Sequence, residues 1–269
     1  MRLTRTLPVA VVAALALTAC GGGDDDGAAS DAESDTIRVA ALAVPAGDML
    51  RFVAEELAPA EGLTVELVEF SDYNTPNPAV VDGDADANLF QNTTFMETFN
   101  EAMGEDLVSV GEVYLPRMGL YSNAFGSLEE LPDGASVAIP NDPTNEGRAL
   151  KLLAAQDLIK VTDEPITTND ITDNPRDIKF VEIENATLPQ AVDDQDAAIV
   201  TAAFALPAGL GDDKLILGEE SDSEYYNVLS TTPELAEDPR IATLYELLTS
   251  DEMDQFLEEE YQGVIIPVE

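Results

Sequence analysis

The sequence predicts an α/β fold in two lobes, on three observations. Short apolar runs of strand character recur along the chain, and most are followed by a stretch with helical spacing. The first pieces read strand, helix, strand, which implies a parallel sheet with a crossover helix. After extended pieces at residues 107–115 and 119–122 the same alternation begins again, and a further extended piece at 225–230 precedes two closing helices. Two α/β units joined by more than one extended crossing account for that order.

In chain order, residues 37–44 are mostly apolar and read as the first strand. Residues 49–57 have helical spacing, Gly62 ends that unit, and 64–70 alternate as a second strand. Residues 71–78 are turn formers and read as a long turn. A short strand at 87–90 and a helix at 94–103 follow. The second unit opens with a strand at 136–139 and a helix at 144–158 that Thr144 or Asn145 can cap. A strand at 178–184, a short helix at 188–192 and a strand at 197–201 continue it. Helices at 239–248 and 252–261 close the chain, and no internal repeat of 20 to 50 residues is present.

Ahead of this region, residues 1–19 have the form of an export signal, with Arg2 and Arg5 before an apolar core. Leu17-Thr-Ala-Cys20 resembles a bacterial lipobox, which implies cleavage before Cys20 and a lipid on its sulfur. Residues 20–35, rich in Gly, Asp, Ala and Ser, read as a solvated tether.

Charge and composition exclude several functions. The 269 residues carry 54 acidic against 12 basic side chains, a net charge of −42. Such a polyanion does not seek nucleic acid or an anionic membrane face. The acids are dispersed between apolar periodic segments, as in proteins from salt-loving bacteria, so a folded core is expected beyond the tether. Histidine is absent, which removes His triads, His metal sites and His general bases. Cys20 is the only cysteine, so neither an intramolecular disulfide nor a Cys zinc site can form. The acidic runs at 24–26 and 258–260 read as solvated charge, without calcium-loop spacing. No phosphate-binding GxxxxGK[ST] loop occurs, so ATP hydrolysis would belong to a partner. No cofactor or metal is expected, and the carboxylates form no local pair that would define an enzyme.

The most specific stretch is Val137-Ala-Ile-Pro-Asn-Asp-Pro-Thr-Asn-Glu-Gly-Arg-Ala-Leu-Lys-Leu-Leu153. It reads strand, tight turn, helix, with Arg148 early in the helix. Free N–H groups at a helix start favour an anion, and a guanidinium beside them can grip a carboxylate. From the residues alone, most such arginines instead pair with a neighbouring Asp or Glu. The wording resembles the NlpA family, the methionine-binding lipoproteins of bacterial ABC importers. Val68-Glu-Phe-Ser71, Asp86-Ala-Asn-Leu-Phe-Gln91, Asp170-Ile-Thr-Asp-Asn-Pro-Arg176 and Tyr226-Asn227 match in the same order, over about residues 36–269.

The resemblance implies a type II periplasmic-binding-protein fold with a ligand cleft between lobes. Residues 36–118 and 230–269 would form lobe one, and 119–229 lobe two. It also implies site residues. Tyr73 would supply a ring to the pocket, or else rest on the surface as a turn residue. Phe90 matches a pocket aromatic, Asn92 stands where the family usually has His, and Phe95 where Tyr is common. By pattern alone both phenylalanines are more often core residues. Rings suit a thioether, whose sulfur gains modest energy near ring edges. Arg148 would clamp the carboxylate and Asn227 would bond the ligand's polar end. In Ala198-Ile-Val-Thr-Ala-Ala-Phe204 the chain departs from the family: Thr201 keeps a hydroxyl, but Ala202 and Ala203 offer none. The implied function is a lipid-anchored, extracytoplasmic protein that hands methionine or a related amino acid to an ABC permease with its ATPase subunit. A different amino acid or short peptide in the same fold is one alternative. A surface adhesin or structural lipoprotein is another.

Overall fold

The computed structural model describes residues 35–268, and the signal, Cys20 and nearly all of the tether lie outside them. β1 (Thr36–Leu42) runs through the interior and is followed by a helical run. Wide turns at Ala43–Gly47 and Val53–Leu57 alternate there with α1 (Asp48–Phe52) and α2 (Ala58–Glu61). Pro59 has no N–H to return to the preceding turn, which accounts for the wide turn ahead of it. Gly62, at φ 70°, stops the run in the left-handed region that glycine tolerates. β2 (Thr64–Phe70) pairs in parallel with β1 over its full length. The expected long turn at 71–78 gives way at its end to a short helix, α3 (Pro76–Val81), since proline is well placed in a first helical turn. Then come β3 (Ala87–Asn92), α4 (Thr93–Met103) and β4 (Val108–Pro116).

After Arg117 the chain enters the second unit with β5 (Met118–Tyr121), β6 (Ser136–Pro140) and α5 (Pro143–Ala154). The cap of α5 is Asp142 rather than Thr144 or Asn145. Its carboxylate accepts the Asn145 N–H at 2.9 Å, and Pro143 fills the first helical position. The helix ends at Ala154, and Asp157 turns left-handed at φ 57°. A small hairpin of β7 (Lys160–Val161) and β8 (Ile171–Asp173) crosses α5. Gly147 is required at that crossing, because a Cβ there would lie 2.3 Å from the Pro165 carbonyl oxygen. β9 (Lys179–Ile183), α6 (Leu188–Asp194), β10 (Ala197–Thr201), α7 (Ala202–Ala205) and β11 (Leu215–Gly218) complete the unit. The chain returns through β12 (Asn227–Thr231), α8 (Pro239–Leu248), α9 (Asp251–Tyr261) and β13 (Ile265–Pro267).

One sheet has the order β13-β4-β12-β3-β1-β2 and the other β11-β5-β10-β6-β9. β12 pairs with β3 and β4, so Asn227 belongs to the first sheet, and the return crossing ends there rather than at 230. Each sheet has its own core. Val39, Leu89, Leu229 and Leu244 are among the residues that fill the first, and Leu120, Ile139, Leu150 and Ile199 among those in the second. Each such side chain contributes about 1.5–3 kcal/mol by leaving water.

Candidate functional site

β1, β2 and β3 run parallel, as do β6, β9 and β10, so their carboxyl ends collect the loops where open α/β sheets hold ligands. Tyr73 follows β2, Phe90 and Asn92 end β3, Thr201 ends β10, and Arg148 lies on α5. A narrow cavity lies among these elements. Its apolar side is Tyr73, Phe90 and Phe95. The ring centres of Tyr73 lie 5.8 Å from Phe90 and 6.0 Å from Phe95, and Phe90 meets Phe95 edge-on at 5.8 Å. Such tilted and edge contacts suit the ring quadrupoles. Phe204, from α7 in the second unit, stacks obliquely on Tyr73 at 4.8 Å. The Tyr73 hydroxyl shares a 3.0 Å hydrogen bond with Thr201 Oγ1, and burial pushes its pKa up to about 12, so the phenol keeps its proton. Tyr73 is therefore buried at a seam between the two sheets, not a surface turn residue.

The polar side carries Gln91, Asn92, Asn145, Arg148 and Asn227, with Pro116 at one edge. Arg148 is 2% exposed. Its Nε donates to Glu219 Oε1 at 2.9 Å, its Nη2 bonds Glu219 Oε2 and also donates to the Pro116 carbonyl at 2.9 Å, and its guanidinium lies 4.8 Å from the Tyr225 ring centre. Among the described residues Nη1 has no hydrogen-bond partner. Both sequence readings of Arg148 thus meet in one side chain: one edge is in an ion pair, and one nitrogen is left over. Asn92 caps α4, its side-chain oxygen accepting the Phe95 N–H at 2.9 Å, which leaves its amide NH2 for the cavity. Asn227 donates to the Tyr114 hydroxyl at 3.0 Å. Behind them Asn77, Asn88, Gln91 and Ser230 form a buried network. Asn77 Nδ2 donates to Gln91 Oε1 at 2.7 Å, Gln91 Nε2 to Asn77 Oδ1 at 2.6 Å, and Ser230 Oγ to Asn88 Oδ1 at 2.7 Å.

Of the sequence-selected residues, Tyr73, Phe90, Asn92, Phe95, Arg148 and Asn227 line one cavity, and Thr201 reaches it through the Tyr73 hydroxyl. Cys20 lies outside the described residues. Sequence reasoning missed Asn145, Gln91, Glu219, Tyr114 and Tyr225. Asn145 and Gln91 stood inside quoted segments. Glu219 carried no local signal, because it is one of 54 acids and meets Arg148 across 71 positions. No cluster of metal-ligating side chains occurs among the described residues.

Two α/β units, crossing strands between them and a cleft walled by rings and one buried arginine define a two-lobed substrate-binding protein of the type II periplasmic class. The NlpA lipoprotein family model matches residues 37–269. The chain is 36% identical to the D-methionine-binding lipoprotein MetQ of Salmonella typhi over 94% of its length and 93% of that protein. It is 34% identical to the membrane lipoprotein TpN32 of Treponema pallidum, covering 88% and 89% of the two chains. Among solved structures, a nutrient-binding protein from Burkholderia cenocepacia bound to methionine superposes with a TM-score of 0.81 at 34% identity, over 87% of this chain and 100% of that one. A periplasmic substrate-binding protein of an ABC transporter from Coxiella burnetii does so with a TM-score of 0.83 at 35% identity, over 86% and 100%. The chain belongs to the NlpA lipoprotein family.

Proposed function

We propose that this protein captures methionine between its lobes and delivers it to an ABC permease with its ATPase subunit, held on the extracytoplasmic side of the membrane by a lipid on Cys20. One juxtaposition supports the reading above all: Arg148, whose Nη1 is left over from its ion pair, lines the same cavity as Tyr73, Phe90 and Phe95. The guanidinium takes the ligand carboxylate and the rings take the thioether. Asn227 and the free amide of Asn92 bond the remaining polar atoms. MetQ of Salmonella typhi and the methionine-bound Burkholderia protein lend the ligand its identity. No bond is made or broken. Hinge movement about Arg117 and the 219–226 return supplies the two states a permease can distinguish. The lobes in this reading are residues 36–116 with 227–268, and residues 118–218.

Losing one partner of a desolvated charge pair typically costs about 2–5 kcal/mol, or roughly thirty- to several-thousand-fold in affinity. Arg148→Ala is expected to weaken methionine binding by that order, and Arg148→Lys to recover part, since an ammonium lacks the planar fork. Calorimetric titration of the two variants checks this. Wild-type affinity in Arg148→Ala would leave the residue as Glu219's structural partner and place the carboxylate elsewhere. Ala202 and Ala203, which supply no hydroxyl beside Thr201, favour a second reading in which the same cleft takes another amino acid or a short peptide.

A further inference from the structure

We infer that Glu219 is a positioning residue for ligand recognition: it aims the Arg148 guanidinium into the cavity and fastens it to both segments that cross between the lobes. The inference rests on the reading of Arg148 as the carboxylate clamp and concerns how that clamp is held. Glu219 follows β11, where the chain leaves the second sheet, and its side chain is 12% exposed. Its two carboxylate oxygens face Arg148 Nε and Nη2, the side of the guanidinium opposite the leftover Nη1. Side-on pairing of this kind fixes the plane of the fork as well as its position.

The carboxylate is itself held. The Met118 N–H donates to Oε2 at 3.0 Å, and the Ser223 hydroxyl donates to Oε1 at 3.0 Å. The backbone of Glu219 is tied to the other crossing as well. Arg117 Nε donates to its carbonyl at 2.5 Å, and its own N–H donates to the Met118 carbonyl at 2.9 Å. Arg148 Nη2 reaches the same crossing at the Pro116 carbonyl. Pro116, Arg117 and Met118 join the first sheet to the second, and Glu219 begins the return. The arginine that meets the ligand is thus bolted to the pair of crossing segments about which the lobes swing.

A purely electrostatic role gives the opposite sign from a positioning role. Glu219 is an anion near the place of the ligand carboxylate, so removing its charge alone would favour that carboxylate. Removing a positioning partner instead frees the arginine and costs carboxylate recognition specifically. The readout is the ratio of methioninamide to methionine dissociation constants, because the amide keeps the thioether and ammonium and lacks only the carboxylate charge. In Glu219→Ala this ratio is expected to fall about tenfold, equal to ~1.4 kcal/mol. In Arg148→Ala it is expected to collapse, and Glu219→Ala added to Arg148→Ala should lower it no further. If Glu219→Ala does not fold, Glu219→Gln carries the test, since its amide oxygen can replace Oε2 but not both oxygens, and a smaller fall is expected. An unchanged or raised ratio in a folded Glu219 variant would overturn the inference. A ratio preserved in Arg148→Ala would overturn the clamp reading instead.

Discussion

Two groups of buried polar side chains, one at the end of the first sheet and one around the start of α5 in the second unit, differ in how fully they are satisfied. Asn77, Asn88, Gln91 and Ser230 close on one another through amide and hydroxyl hydrogen bonds between 2.6 and 3.1 Å. The second group, around the start of α5, is incomplete. Arg148 has a nitrogen to spare, and Thr144 Oγ1 and Asn185 Oδ1 are buried without a hydrogen-bond partner among the described residues. Asn185 bonds the Asp142 cap of that same helix at 2.7 Å. A complete network fixes strand and loop positions, whereas the spare nitrogen of Arg148 leaves the cavity an open polar wall.

Breaking the complete network gives the largest effect on stability. Asn77→Ala strands the amides of Gln91 and Asn88, and leaving buried partners unpaired is expected to cost about 3 kcal/mol in urea unfolding. Methionine affinity should change far less than in Arg148→Ala. Stability equal to wild type would mean that the network has no more bearing on the fold than the open wall.

The start of α5 carries its own pH dependence. Glu146, one residue beyond Asn145, is 3% exposed and accepts the Thr168 N–H at 2.7 Å. Burial raises its pKa from 4.5 to about 7 against the effect of that hydrogen bond, and Glu182, Asp142 and Asp170 push the same way as burial. The folded state therefore holds the proton more tightly than the unfolded state. The stabilisation is complete below about 4.5 and is lost as pH rises through about 7, at no more than ~1.4 kcal/mol per pH unit. Thermal melts between pH 5 and 8 should slope downward in wild type and less steeply in Glu146→Gln. Parallel slopes would assign the dependence to other acids.

The smallest effect belongs to the seam. Tyr73→Phe removes the hydrogen bond to Thr201 and keeps the ring, at an expected ~1 kcal/mol, or about fivefold in methionine affinity. Thioether preference should survive, and loss of that preference would show that the hydroxyl, not the ring, sets the side-chain pocket.

How much of this was legible in sequence follows the range of the forces. Strand and helix periodicity gave the core elements closely: 197–201 and 239–248 coincide with β10 and α8. β13, a three-residue edge strand, and the hairpin of β7 and β8 are too short for a period to show. The aromatic wall was legible only through the family resemblance of the Asn88–Phe95 segment, since by pattern alone Phe90 and Phe95 read as core. The α5 cap was misplaced because Asp142 lies before a proline, where a turn and a cap read alike. Glu219 and Tyr114 were invisible because their partners, Arg148 and Asn227, are 71 and 113 positions away.

Methionine as the cargo is tested most directly by the small molecule that leaves the protein. Purified protein incubated with an equimolar mixture of the common amino acids, washed and then denatured should release methionine as the dominant mass. Release of another amino acid or a peptide in its place, or of nothing at all, would contradict it.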